Sequence, residues 1–307
     1  MYDERIISSL LDKMEIKGYY RQYITNIIKT LSLKIDVYLN SMKLESNRLY
    51  NAISHLVYRG KFIRGLYSYL TSKALGVGDD DAYLLATCIE LYHLASLIHD
   101  DIIDKADYRR GVESVHKKFG TEYAIIAGDA LIIYSNYLLS RLGGDIIRIL
   151  AESGLKLSDG EALELDKKLP KDISEYNKIV YLKTASFFEG IFKSSVYLAR
   201  RKGIMEYMSR LGRYIGYSFQ YKDDIFDYLG DPKITGKPKG IDRNKSNLIT
   251  VLIRQYNYTL EKAVDKANKM ISEYVDKAVS IIEKLPIDRL YRDLLLEITR
   301  SLEVRIA

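Results

Sequence analysis

The sequence predicts an all-α protein, and three observations carry that prediction. Apolar residues recur at three- and four-residue spacing through most of the 307 residues, with polar clusters between them. That is the pattern of amphipathic helices, and no stretch sustains the strict alternation of a strand. All four prolines, Pro170, Pro232, Pro238 and Pro286, fall in the second half, so the first 169 residues lack the residue most disruptive to a helix interior. The composition, 47% apolar and 29% charged, is that of a globular chain with a sizeable core, and a single helical domain over residues 1–307 is the simplest organisation.

Taken in order, the periodicity predicts helices near 4–40 with an interruption at Gly18, then 46–58, 62–75, 80–106 and 121–142. It continues with 145–154, 159–168, 173–201, 203–229, 245–256, 259–283 and 288–304. The breaks fall at Gly76-Val77-Gly78-Asp79, at Gly143-Gly144 and at Leu169-Pro170-Lys171, where glycine and proline interrupt helices. Residues 230–240, with two Pro, three Gly and three Lys, form the longest expected loop, and a loop of that length in a compact domain is usually functional or disordered.

The lone Cys88 excludes an intrachain disulfide and a cysteine-rich zinc module, and it points to a reducing compartment. The first residues mix acidic and basic side chains without an apolar signal region, and no 18-residue uncharged apolar stretch occurs. A cytoplasmic protein without stable membrane insertion is the expectation. Lys and Arg exceed Asp and Glu by 47 to 41, an excess spread over the chain. Without an aromatic-interleaved basic patch, this does not predict nucleic-acid binding, but it permits a pocket for an anionic small molecule.

The sharpest local feature is Leu97-Ile98-His99-Asp100-Asp101-Ile102-Ile103-Asp104, an apolar helix that abruptly carries three aspartates. The pattern returns at Phe219-Gln220-Tyr221-Lys222-Asp223-Asp224-Ile225-Phe226-Asp227. Residues four apart share a helix face, so each pair of outer aspartates places like charges together at a cost of roughly 0.2–0.5 kcal/mol. A cation offsets that cost. All-oxygen ligation suits Mg²⁺ or Mn²⁺, and Mg²⁺ typically takes one or two carboxylates together with substrate phosphates. Basic residues follow each cluster: Arg109-Arg110-Gly111 after the first, Lys237 and Lys245 after the second. Upstream, Lys61 and Arg64 lie three apart in Gly60-Lys61-Phe62-Ile63-Arg64, and paired cations of this kind bind phosphate oxygens.

From about Arg59 to Thr250 the sequence closely resembles the trans-isoprenyl diphosphate synthases, the polyprenyl synthetase family, which includes geranylgeranyl and hexaprenyl diphosphate synthases. The family's motifs occur in order: GKxxR at Gly60–Arg64, ExxH at Glu90–His93, DDxxDxxxxRRG at Asp100–Gly111 and AGD at Ala127–Asp129. KT follows at Lys183-Thr184, FQxxDDxxD at Phe219–Asp227 and GK at Gly236-Lys237. The resemblance implies a helical bundle of isoprenoid synthase type around a central active-site cavity, with the two aspartate turns across its mouth, and a homodimer. It implies head-to-tail condensation of an allylic diphosphate with isopentenyl diphosphate. The product is an all-trans polyprenyl diphosphate lengthened by five carbons per cycle.

Carried over by position, the metal residues are Asp100, Asp104 and Asp223, with Asp101, Asp224 and Asp227 in support, and three Mg²⁺ ions per site are implied. Arg109, Lys183 and Lys237 match groups that neutralise the leaving diphosphate, a stabilisation of charge developing in the transition state. Lys61, Arg64, His93 and Arg110 match the isopentenyl diphosphate site, with Lys245 an added phosphate contact of uncertain register. Thr184 and Gln220 match the polar groups whose oxygens face the allylic cation. Two departures stand out: Gly160-Glu161-Ala162-Leu163-Glu164-Leu165 replaces the family's Gly-Gln-x-x-Asp-Leu, and Gly65 stands where Pro often follows the arginine.

In this family the residues just before the first aspartate cluster act as the floor of the product tunnel. Here Ala95 and Ser96 are small, which favours a product of twenty carbons or more, thirty being the central expectation and geranylgeranyl diphosphate the alternative. At 100° per residue Ser96 and Ile89 lie within about 40° of Asp100, and Tyr92, one turn deeper than Ser96, would lower the ceiling. A non-catalytic subunit of a heteromeric synthase is disfavoured by the intact Asp100, Asp104, Asp223, Arg109 and Lys183. A terpene cyclase is disfavoured by the second aspartate cluster and by a second diphosphate site at Lys61 and Arg64.

Overall fold

The structure, a computed structural model, describes residues 4–16, 18–166, 169–229 and 247–303. Lys237 and Lys245 lie outside the described residues. The chain forms two compact units, Met1–Lys73 with Val77–Ile147, and Ala74–Gly76 with Arg148–Ala307.

The first unit contains α1 (Glu4–Lys13), α2 (Gly18–Asn40), α3 (Asn47–Ser54), α4 (Ile63–Ala74), α5 (Asp79–Ile103), α6 (Val115–Phe119) and α7 (Thr121–Leu139). Its core is built on α5, which packs against α7 and α2. Three aspartates, Asp79, Asp80 and Asp81, occupy the first turn of α5, where carboxylates complement the positive end of the helix dipole. Lys73 and Tyr69 hold Asp79. The whole run Ala82–Leu91 is buried, so α5 has no polar face there. By length and composition α5 could cross a membrane, but most of its apolar length is buried inside the fold.

The one departure from all-helical structure among the described residues is a hairpin, Tyr108–Arg109 paired antiparallel with Val112–Glu113. Arg110 and Gly111 form its two-residue loop, both with positive φ (53° and 77°), the type I′ geometry that matches strand twist and favours glycine. The sequence pattern predicts no strand here because two-residue strands are too short to show alternation.

The second unit contains most of α8 (Gly144–Asp166), α9 (Ile173–Val180), α10 (Ser186–Leu198) and α11 (Met205–Leu229). Three further helices follow: α12 (Leu248–Tyr256), α13 (Leu260–Lys284) and α14 (Arg289–Arg300). Side-chain caps start α9, α12, α13 and α14, from Asp172, Asn247, Thr259 and Asp288 respectively. The two helices predicted at 145–154 and 159–168 are one continuous α8. Gly160 serves packing there, since a Cβ on it would sit 2.6 Å from the backbone nitrogen of Lys183.

The segment predicted as one helix over 173–201 is α9 and α10 joined by a π-helical turn at Tyr181–Ala185. Helix α11 lies against α10 and α13. It approaches the α10 side through Gly212 and Gly216, where added Cβ atoms would meet backbone of Glu189 at 2.7 Å and of Ala185 at 2.5 Å. In a chain without tryptophan, tyrosine supplies aromatic packing: Tyr217 and Tyr274 stack with centroids 5.0 Å apart, and Tyr221 joins both.

Candidate active site

The sequence-predicted residues fall into two groups, one in each unit. In the first unit, α5 ends on the first aspartate turn. Asp101 is wholly buried and its Oδ1 accepts from Arg109 Nε at 2.7 Å and from Nη2 of the same guanidinium. Burial pushes the Asp101 carboxyl up, against the pull of Arg109. Asp100 is half-buried and Asp104 exposed. The turn therefore divides its work: the middle carboxylate fixes the arginine hairpin, and the outer two, i and i+4 on one face, remain at the surface. Asp101, expected only in support of the metal set, spends Oδ1 on Arg109, while its Oδ2 is buried without a hydrogen-bond partner.

The GKxxR turn docks on the same helix. Arg64 Nη1 lies 3.0 Å from His93 Nε2, and Arg110 Nη1 reaches the Leu56 carbonyl at 3.3 Å. Glu90, almost fully buried, accepts from the Gly65 N–H at 2.6 Å. A Cβ at Gly65 would come 2.8 Å from Glu90 Cγ and 2.7 Å from Leu31 Cδ2, so glycine is what allows this approach. Glu90 and Arg110 also line a small cavity with Gly60, Phe62, Leu91 and Leu94. Burial raises the Glu90 carboxyl, against Gly65 N–H, Arg64 and Arg110. Burial, followed by Arg64 and Arg110, holds His93 well below the usual imidazole range. Burial lowers Arg110 to about 10. The cluster thus gathers cations around one neutral imidazole, an arrangement suited to an anionic ligand. Lys61 is exposed beside it in sequence.

Helix α5 also carries the residues expected to set product length. Ala95 and Ile89 are fully buried in the core, whereas Ser96 and Tyr92 are half-buried. Ala95 and Ile89 therefore do not line an accessible face, although Ile89 has the right helical phase, because neighbouring helices cover that depth of α5. Ser96 Oγ donates to the His93 carbonyl, and Tyr92 OH donates to Asn136 Oδ1 on α7 at 2.6 Å.

In the second unit, the π turn presents Lys183 and Thr184. Lys183 Nζ pairs with Glu161 at 2.7 Å and with Glu164. Burial would lower its pKa, but Glu164 and Glu161 hold it above the usual ammonium range. These glutamates are the residues that depart from the family's Gln and Asp. Their spacing of three on a helix is the signal that could have paired them with a cation.

Thr184 Oγ1 donates to Gln220 Oε1 at 2.7 Å, and Gln220 Nε2 donates to Asp224 Oδ1 at 2.9 Å. Asp224 is 2% exposed and its Oδ2 also accepts from Tyr176 OH at 2.6 Å and from the Leu248 N–H at 2.5 Å. Burial raises the Asp224 carboxyl to about 7, against these three donors. The chain of bonds orients the Gln220 amide so that its oxygen, not its nitrogen, meets Thr184. Asp223 is exposed and Asp227 half-buried. Asp224, expected in support of the metal set, orients Gln220 and ties α11 to the start of α12. Nothing in the sequence marks Tyr176, Asn247 or Leu248 as its partners.

The outer carboxylates supply only hard oxygen donors, which fit Mg²⁺ or Mn²⁺. Among the described residues no three acidic, histidine or cysteine side chains close into a ready cage.

Residues 46–285 match the polyprenyl synthetase family. The chain is 33% identical over 247 residues to geranylfarnesyl diphosphate synthase of Aeropyrum pernix, covering 75% of this chain and 76% of that protein. It is 29% identical over 264 residues to octaprenyl diphosphate synthase of Escherichia coli K12, covering 74% and 80%. Its fold superposes on heptaprenyl diphosphate synthase of Staphylococcus aureus with a TM-score of 0.84 at 26% identity, covering 92% of this chain and 98% of that one.

Proposed function

The chain belongs to the polyprenyl synthetase family and is a prenyltransferase of the prenyl diphosphate synthase type, and from that premise we propose how its residues divide the reaction. An allylic diphosphate ionises, the double bond of isopentenyl diphosphate attacks the cation, and loss of a proton leaves an allylic product five carbons longer. One observation carries the site assignment: in both aspartate turns the middle carboxylate is buried and engaged, and the outer pair is held at the surface.

Asp100 and Asp104 in the first unit, and Asp223 and Asp227 in the second, would each hold Mg²⁺ with substrate diphosphate. Bound there, the metal supplies positive charge to the departing diphosphate. Arg64, Arg110 and His93 bind isopentenyl diphosphate, with Lys61 extending the same cationic surface. Lys183 adds a positive charge held in place by Glu161 and Glu164, and Arg109 is oriented by Asp101. Thr184 and Gln220 present oxygen dipoles, which stabilise a carbocation without the nucleophilicity of a free base.

Small Ser96 on the accessible face of α5 supports a product of twenty carbons or more, with thirty as the central value. The Tyr92–Asn136 bond favours the shorter end of that range, geranylgeranyl diphosphate. A homodimer is supported by Ile126, Ile133 and Tyr137, spaced seven and four apart on α7 and all exposed. The buried character of α5 and the single buried Cys88 support a cytoplasmic enzyme. Incubating the protein with labelled isopentenyl diphosphate, each allylic primer and Mg²⁺, then sizing the products, tests the reading. Elongation that requires the metal is expected, and no elongation with any primer would overturn it.

A further inference from the structure

We infer that Asn136, on α7, is a positioning residue for product length: it pins the Tyr92 phenol and so fixes where chain growth stops. The inference rests on the activity proposed above, in which the allylic chain extends away from the Asp100 turn. The accessible stripe of α5 runs from Asp100 through Ser96 and Leu97 to Tyr92 and His93, and there it ends, because Ala82–Leu91 are all buried. Tyr92 is therefore the last large side chain that a product running down this face would meet, about 12 Å of helix axis from Asp100 at 1.5 Å per residue.

A tyrosine at such a point is a weak stop if its ring is free to change rotamer. Here its hydroxyl donates to Asn136 Oδ1 at 2.6 Å, a bond across the α5–α7 pair that form the core of this unit. Both residues are half-buried, so the bond is partly shielded from competing water. The backbone of Asn136 is itself fixed: its carbonyl accepts from the Ser140 N–H at the end of α7. Breaking the side-chain bond frees the ring to swing aside while leaving its bulk, which separates a positioning role from a volume effect. Ser96 beside it is already folded back on the His93 carbonyl and offers no comparable obstruction.

The test sizes the products of wild type, Asn136→Leu, Asn136→Asp, Tyr92→Phe and the double variant Tyr92→Phe/Asn136→Leu. Asn136→Leu and Tyr92→Phe should each shift the main product longer by at least one five-carbon unit. Asn136→Asp, which keeps an acceptor for the phenol, should restore the wild-type length, and the double variant should resemble either single one. Tyr92→Phe breaks the same bond from the other side, so an Asn136 variant that fails to fold leaves the inference open to refutation. Variants that elongate to the wild-type length overturn the role of Asn136. A wild-type enzyme that fails to elongate any primer refutes instead the activity on which the inference rests.

Discussion

Arg64 Nη1 sits 3.0 Å from His93 Nε2, and because a guanidinium has only donors, that imidazole nitrogen must accept. His93 is therefore neutral with its proton on Nδ1, the state favoured by burial and by Arg64, Arg110 and Arg109 around it. In the unfolded chain the same group titrates near about 6.5.

A depressed histidine pKa makes the stability it contributes complete above that value. The contribution is lost as pH falls below it, because the unfolded chain then takes up a proton that the fold refuses. The expected slope is up to about 1.4 kcal/mol per pH unit. Comparing urea unfolding of wild type and His93→Gln isolates it from Glu90 and Asp224, whose raised values act in the opposite sense. The stability of wild type relative to His93→Gln should fall as pH drops below about 6.5. A difference that stays constant with pH would mean that His93 is free to protonate in the fold.

Asp223 and Asp224 are neighbours with opposite tasks, and substitution should separate them. Asp223→Asn should leave the melting temperature nearly unchanged while lowering kcat/KM on the order of a hundredfold, the scale of losing a preorganised electrostatic group. Asp224→Asn turns an amide toward donors from Tyr176, Leu248 and Gln220, and should cost about 1–3 kcal/mol of stability. Equal loss of stability in the two variants would refute the division.

Ala95 and Ser96 also differ. Ser96→Phe places a ring on the accessible stripe and should shorten the product. Ala95→Tyr forces a ring into a site with 0% exposure and should destabilise the fold by about 1–3 kcal/mol, detectable as a lower melting temperature. A stable Ala95→Tyr enzyme with a shortened product would put Ala95 back in the tunnel.

If α7 forms the contact with a second copy, Ile133→Glu should convert the dimer to monomer by light scattering at micromolar concentration. Ile133 is 67% exposed, so the substitution strains nothing in the single chain. An unchanged mass would place the dimer contact elsewhere or exclude it.

The helices and the chemistry-bearing residues were legible in the sequence because each is local: a period of 3.6, or a motif within a dozen residues. The choice of the two middle aspartates for burial is not encoded in the spacing, since residues three and four apart both share the face of Asp104 or Asp227. Nor are the partners of those aspartates. Asp224 is capped by a backbone N–H 24 positions along the chain, and no periodicity encodes that pairing. The gap expected at 155–158 does not exist, because α8 runs unbroken from Gly144 to Asp166.

The π turn at Tyr181–Ala185 lets one run of helix hold two separate stretches of α11. Before it, Tyr176 and Asn177 bond to Asp224 and Tyr221 of α11; after it, Glu189 bonds to Ser209 near the start of the same helix. An uninterrupted α-helix would rotate one of these sets out of register. The widened turn works as a phase adjuster, and the residues it displaces are Lys183 and Thr184. Deleting one residue there would tidy the helix and misdirect its chemistry, so the irregular backbone is the part of this fold least open to idealisation by a designer.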